Sequence, residues 1–476
     1  MADHVLAGRR VGAITTGLSA SSSLDRGWAL IFVPAVAIGL HLFAVAGAIA
    51  FVLGLWASWK LIAPRLRRFT FAAQNSLTLP EFLERRFIDH TGVLRVLAAM
   101  LTLLFVLFYV SAGIMAGGIM FNIAFGVSVA TGGLMTILTV LAYIFIGGYA
   151  VVARTDVLQS MITLFGITIL AVAVFVATGN PTEVNADSLS SASDTISEST
   201  NVFFSLMLFA LFLIANMQGA FGAQRLLQRF MAAKSEAIMD TSRRISTVWL
   251  VTIFSSSILL GLFAKNTVAQ EGFQLTLGRG VASEEGIQFF YWLADIIASP
   301  VLGALALTAI VAAVMSTMDS QMLIGASVAT SDLPFVRRYA QHKRFEFVLG
   351  AYMRVWIGRL MLILIGLIAW LLAMSQPNSV VTFLVYAWLG TGATFGPVVF
   401  LSLYWRRFNI YGAMAALITG GLLTLICAFM EVMFITFGVL TLGVLPIAVL
   451  VTLVTKAPSA EVQEMFEQSL VKTETA

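Results

Sequence analysis

The sequence predicts an all-α, polytopic membrane protein: an inverted repeat of five plus five helices followed by two extra C-terminal helices, about twelve transmembrane helices in all. Three observations carry that prediction. Of 476 residues, 59% are hydrophobic and only 11% charged, with a mean hydropathy of +0.94. A water-facing surface carries roughly 25% charge, so lipid must solvate much of the chain. Apolar runs of roughly 20 residues, the length of a spanning helix, recur from end to end. The alternating segments of a β-barrel, about ten residues each, are absent. Finally, two apolar runs are interrupted by small and polar residues, and they lie five helices apart. A repeat with an odd number of helices must return in inverted topology.

In order, the expected spans are 12–38, 41–62, 93–122, 126–147, 153–177, 201–224, 245–266, 299–330, 351–374, 379–404, 409–430 and 432–455, with a partly amphipathic interfacial piece near 285–297. The spans divide the chain into an N-terminal segment (1–10), a first five-helix repeat (11–177), an external acidic loop (178–200), a second repeat (201–406), the two extra helices (407–455) and a tail (456–476). Loop charge sets the orientation. All but three of the 28 Lys and Arg residues, the exceptions being Arg26, Lys265 and Arg279, fall on one side. The opposite loop holds Glu183, Asp187, Asp194 and Glu198 and no basic residue. Both termini are therefore expected in the cytoplasm, with the chain in the plasma (inner) membrane. Met1–Arg10 is polar and basic and has no signal-peptide pattern.

The net charge of +4 sits in short loops beside apolar spans and does not indicate nucleic-acid binding. The single Cys427 excludes an intrachain disulfide or a thiolate metal site, and His4, His41, His90 and His342 are scattered. No convergent His, Asp, Glu or Cys cluster marks an enzyme, and no cofactor is expected.

The first interruption runs Ser19-Ala20-Ser21-Ser22-Ser23-Leu24-Asp25-Arg26-Gly27. The second runs Asn216-Met217-Gln218-Gly219-Ala220-Phe221-Gly222. Interrupted helices at matching positions of inverted halves mark the binding site of a secondary transporter. The plain alternative is that small residues merely let helices approach closely, which accounts for Gly219 and Gly222. It does not account for Asp25 and Arg26, because a charge at the membrane centre costs about 2.5–3.5 kcal/mol on insertion scales.

The eighth span reads Ala312-Ala313-Val314-Met315-Ser316-Thr317-Met318-Asp319-Ser320-Gln321. A desolvated hard cation wants several oxygen ligands. The Ser316 and Thr317 hydroxyls, one turn beyond the Ala313 carbonyl, would supply some of them. Alternatively, these hydroxyls bond their own helix's i−4 carbonyls. Asp319 is an intramembrane carboxylate and a functional candidate by default. Asp156 stands near the start of the fifth span. It either complements the helix dipole beside Arg154 or serves ion coupling.

At these residues the chain resembles the sodium:solute symporter family, most closely its sodium/proline branch. The motifs LAGRR (6–10), SLTLPEFLERRF (76–87), GGY…TDVLQ (147–159), QRFMAAKS (228–235), AAVMSTMDSQ (312–321), YAWLGTGATFGPV (386–398) with YWRR (404–407), and KAPSAEVQEMF (456–466) occur in family order. The resemblance implies the LeuT-like form of the inverted repeat. It implies sodium as coupling ion and the only metal, held by Ser22, Asp25, Ala313, Ser316 and Thr317. It gives coupling or gating roles to Arg9 and Asp156, to which the intramembrane Asp319 is added. The chain departs from the family in three places. Proline-type members carry a further helix ahead of the LAGR segment, whereas this chain begins at Met1. The family acid falls at Leu24, and here Asp25 and Arg26 follow it. The Trp, Tyr and Pro that proline transporters present toward substrate are replaced by Asn216, Ala220 and Gln224, while Tyr109 is kept. The expected solute site thus comprises Arg26, Tyr109, Asn216, Ala220 and Gln224 in a smaller, more polar pocket, with Arg26 facing either a substrate carboxylate or Asp25.

The expected function is sodium-coupled import of a small organic solute, proline or another amino or carboxylic acid. The expected partners are the solute, sodium and the lipid bilayer. Competing readings are a proton-coupled porter of the same fold, since Asp25, Asp156 and Asp319 can titrate, and a transporter-like solute sensor.

Overall fold

The computed structural model describes residues 5–24, 29–30, 33–39, 41–178, 202–270, 300–334, 349–375, 380–430 and 433–471. Asp25, Arg26, the interfacial piece at 285–297 and almost all of the acidic loop at 178–200 lie outside them. Among the described residues eight helices are long and apolar enough to cross a membrane.

A short 3-10 turn (Ala7–Arg9) leads into α1 (Ala13–Ser23), α2 (Val33–Gly39) and α3 (His41–Ala57). A π-turn at Ser58–Ile62 joins α3 to α4 (Ala63–Ala72), so the expected helix at 41–62 continues ten residues further. Next come α5 (Leu79–Arg86), α6 (Val93–Phe125) and α7 (Val129–Thr178). α7 has 50 residues, about 75 Å if straight, far beyond the ~30 Å hydrocarbon core. It breaks at Gly148 (φ 53°, ψ −149°), a conformation essentially reserved for glycine, and so provides the two spans expected at 126–147 and 153–177.

The second half begins with α8 (Val202–Gly222), α9 (Gln224–Ala232) and α10 (Met239–Gln270), followed by α11 (Pro300–Ser331), α12 (Leu349–Ser375) and α13 (Val380–Tyr404). α14 (Ile410–Met430) and α15 (Met433–Val454) follow, and α16 (Ala460–Leu470) closes the chain. The interruption expected at Asn216–Gly222 is helical throughout; the chain turns extended only at Ala223 (φ −62°, ψ 100°). Packing explains the difference. A Cβ on Gly219 would lie 2.1 Å from the Trp388 ring, and one on Gly222 would lie 2.3 Å from the Thr391 carbonyl. These glycines bring α8 against α13. The first interruption is likewise α-helical through Ser23 and turns at Leu24.

α7 packs against α6, α10 and α11, and α8 packs against α3 and α13. α1 lies between α10 and α7 and also touches α9 and α11. The Lys234 N–H donates to the Val11 carbonyl at 3.0 Å and ties the segment before α1 to the end of α9. α14 and α15 pack on each other and on α13. Large apolar side chains point outward, among them Phe429 (88% exposed) and Ile146 (85%). Such a surface is at home in lipid and not in water.

Candidate functional site: a buried carboxylate between three helices and an adjoining polar cavity

The Ser-rich end of α1 is fully buried. Three of its hydroxyls bond back to their own helix: Ser21 Oγ to the Gly17 carbonyl at 2.8 Å, Ser22 Oγ to Ser19 at 3.2 Å and Ser23 Oγ to Ala20 at 3.2 Å. Ser19 points elsewhere, donating to Asp156 Oδ2 at 2.6 Å. The other oxygen of Asp156 accepts from Ser316 Oγ of α11 at 2.5 Å. Arg229 Nη2 of α9 donates to Oδ2 at 2.9 Å, and both members of this ion pair are buried. One carboxylate thus joins α1, α9 and α11 to α7. Arg154 is exposed, and Asp156 lies about two turns beyond the break at Gly148, with its carboxylate engaged by Ser19, Ser316 and Arg229.

Thr317 Oγ1 donates to the Ala313 carbonyl at 3.2 Å, the i−4 pattern. Asp319 accepts from the Tyr143 hydroxyl at 2.8 Å and from Ser320 Oγ at 3.1 Å. Arg229 Nη2 also reaches Ser320 Oγ at 2.6 Å, which links the Asp156 and Asp319 clusters. Ser19, Asp156, Ser316, Asp319 and Ser320 form one connected polar network inside the bundle.

A turn away, the extended residue Ala223 lies in the wall of a small cavity. Thr102 and Tyr109 of α6, Gln224 and Arg225 of α9, Gln321 of α11 and Thr391 of α13 supply its polar wall. Gln224 Nε2 donates to Thr102 Oγ1 at 2.7 Å. Arg225 Nη2 donates to the Leu24 carbonyl and to the Tyr109 hydroxyl, each at 3.2 Å, and its guanidinium lies 4.2 Å from the Tyr109 ring centre. A second small cavity, bounded by residues 77–79, Gln228, Ser327 and Val328, also has Gln224 in its wall. Gln224 therefore stands in the wall of both cavities.

Of the expected solute residues, Tyr109 and Gln224 meet at the first cavity. Asn216 instead bonds the Phe212 carbonyl at 2.8 Å, and the Ala220 carbonyl accepts from Ser58 at 3.0 Å on the α3 side. Arg9 stands apart from both clusters. It donates to the Ser76 carbonyl at 2.8 Å and clamps the segment before α1 to the α4–α5 turn. Burial, with Arg67 nearby, brings the Arg9 guanidinium down to about 10. On the same side, Arg95 at the start of α6 holds Asp332 just beyond α11 at 2.6 Å and Glu84 of α5 at 2.5 Å. Burial pushes Asp332 up to about 7 even against the pull of Arg95.

Sequence reasoning missed Arg225 and Arg229, which loop counting assigns to the basic side. A signal was available. The two arginines recur at i and i+4 with Gln224 and Gln228 between apolar residues, a polar face on a short helix.

These features, inverted halves with α1 and the α8–α9 break meeting at a polar centre, define a secondary active transporter. The profile of the "Sodium:solute symporter family" matches residues 4–420. The high-affinity proline transporter PutP of Bacillus subtilis (strain 168) is 33% identical over 98% of this chain and 95% of its own. The sodium/proline symporter of Escherichia coli (strain K12) is 33% identical over 98% and 90%. Among solved structures, a Na+-coupled sialic acid symporter in a substrate-bound outward-open state superposes with a TM-score of 0.72 at 16% identity, over 96% of this chain and 93% of that one. MhsT in complex with L-phenylalanine superposes at 0.54 with 15% identity, over 93% and 98%. The fold is the LeuT-like inverted five-plus-five repeat. The chain belongs to the sodium:solute symporter family: it is a sodium-coupled solute symporter in a membrane, not an enzyme.

Proposed function

We propose that this symporter imports proline or a closely related small amino or carboxylic acid across the plasma membrane, with both termini cytoplasmic. The observation that supports the reading is the Asp156 network, in which Ser316 of α11 and Ser19 of α1 both donate to one buried carboxylate. The proline transport named for two relatives, each covered over nearly its whole length, supports the solute class. The concentration of basic loops on one side supports the orientation.

In this reading sodium binds between α1 and α11, using oxygens of Ser22, Asp25, Ala313, Ser316 and Thr317. It displaces the internal hydrogen bonds that Ser22 and Thr317 make and draws the two helices together. The solute then docks beside Tyr109 and Gln224. Asp156 senses the ion through Ser316 and passes the change to α9 through Arg229. Asp319 holds Tyr143 in the same network, and Arg9 steadies the segment before α1.

The test is uptake of labelled proline by proteoliposomes holding the full chain, in sodium or in choline at fixed pH. Sodium is expected to stimulate uptake. Ser316→Ala and Thr317→Ala should each abolish the stimulation. Equal uptake in choline removes sodium coupling. Undiminished stimulation in both variants removes the ion-site assignment.

A further inference from the structure

On α3, Val45, Ile49, Leu53 and Trp56 recur three or four residues apart and are exposed, so they form one outward stripe. The stripe runs out at the π-turn, where Lys60 is exposed. α10 packs beside α3, with the Phe51 and Phe254 rings 5.3 Å apart. It turns its own apolar residues outward, Val248 and Val251, just past Arg243. The two stripes meet at Trp56. Lys60 Nζ lies 5.0 Å from the centre of its ring, and the Arg243 guanidinium 5.7 Å. One half-exposed indole thus gathers two cations from different elements, on the side where the basic loops lie.

Other basic residues nearby are spent on the protein itself. Arg65 donates to the Leu403 carbonyl and Arg67 to the Ala233 carbonyl, each at 3.0 Å, and Arg68 pairs with Glu236 at 3.2 Å. Lys60 makes no hydrogen bond or ion pair among the described residues; it meets the Trp56 ring. Arg243 pairs with Asp240 at 2.9 Å, but the Asp240 side chain is 75% exposed, and exposed pairs of this kind are weak. The inner face of the same π-turn holds the centre of the molecule. Ser58 Oγ donates to the Ala220 carbonyl at 3.0 Å, and the Trp59 ring lies 4.6 Å from that of Phe230. Ala220 and Phe230 stand on either side of the α8–α9 break. A ligand that fixes the outer face of the π-turn therefore also steadies the break.

We propose that this face binds an anionic phospholipid, its phosphate held by Lys60 and Arg243 and its acyl chains laid along the stripes of α3 and α10, and that the bound lipid braces the α8–α9 break through the π-turn. Charge is what the site reads: each cation near an anionic headgroup strengthens binding about 5-fold. The site uses none of the residues of the ion or solute clusters, so it stands apart from the identity of the solute. If Lys60 and Arg243 were merely solvated, anionic and zwitterionic lipids of equal chain length would bind alike.

The experiment titrates the purified full-length protein in detergent micelles with phosphatidylglycerol or phosphatidylcholine of identical acyl chains and follows the thermal midpoint. Phosphatidylglycerol should half-saturate at about 25-fold lower mole fraction, the product of two cations. Lys60→Gln and Arg243→Gln should each weaken phosphatidylglycerol about 5-fold and leave phosphatidylcholine unchanged. Glycerol 3-phosphate, the same anion without acyl chains, should not stabilise. Amide hydrogen exchange over residues 58–62 and 220–224 should slow with phosphatidylglycerol in the unaltered protein and not in the double variant. Equal half-saturation by the two lipids overturns the site, and that comparison needs no variant to fold. So does a double variant that keeps the preference. Stabilisation by glycerol 3-phosphate would assign a soluble-phosphate site and overturn the lipid. Phosphatidylglycerol that binds without slowing exchange in the two segments overturns the brace.

Discussion

Asp156 spends its two oxygens on three helices. Removing its charge takes away the carboxylate that is ion-paired with the buried Arg229, and losing one partner of a buried pair costs about 3–5 kcal/mol. Asp156→Asn should therefore lower the thermal midpoint sharply, and adding Arg229→Gln should restore part of the loss. Additive losses in the double variant would show that the pair is not coupled. Asp332 supplies a pH dependence. Its carboxyl is raised to about 7 in the folded protein, so the folded state binds that proton more tightly than the unfolded one. The stability it contributes is full at low pH and is lost as pH rises through about 7. Unfolding midpoints measured from about pH 5 to about pH 8 should fall with rising pH, and Asp332→Asn should flatten that slope. An unchanged slope in the variant assigns the titration to another group. Ser316, Thr317, Asp156 and Asp319 stood out in the sequence because polar groups are conspicuous in apolar runs. Arg225 and Arg229 did not. A basic residue near a span end looks like a loop charge until tertiary packing shows it enclosed.

Helix breaks show what periodicity can and cannot reveal. A 50-residue apolar stretch is too long for a single crossing, and it breaks at Gly148. Gly148→Ala forces a side chain into φ 53°, ψ −149°, at a cost of about 1–3 kcal/mol. It should reduce the thermal midpoint and the folded yield, read by size-exclusion fluorescence. An unaffected variant would mean that the break is set by packing rather than by glycine. The α8–α9 break was placed a few residues early because Gly219 and Gly222 serve close approach to α13, whereas the extended residue, Ala223, bears no sequence mark. The short helices α5 and α16 lie outside the expected spans, yet both carry cap signals. Thr78 accepts from the Glu81 N–H at 3.2 Å while Glu81 reaches back to the Leu77 N–H at 2.7 Å, and Ser459 accepts from Val462 at 3.4 Å.

At the scale of the whole molecule, the coupling chemistry fixes how transport responds to voltage. One sodium carried inward gains about 2.3 kcal/mol per 100 mV of inside-negative potential, which is roughly 50-fold in accumulation. The sign of the solute decides whether that gain is kept. Proline is a zwitterion, so its complex with one sodium bears a net positive charge. Uptake should then rise when a potassium diffusion potential, inside negative, is set with valinomycin. A lactate-like monoanion with one sodium forms a neutral complex, and its uptake should be indifferent to the same potential. Proteoliposomes loaded with potassium, tested with both labelled solutes at equal sodium gradients, separate the cases. Proline uptake that ignores the potential would show that no net charge crosses with the loaded site, and the single-sodium scheme would fail. Lactate uptake that follows the potential would require a second cation, and the buried carboxylates Asp156 and Asp319 are where the fold would have to hold it.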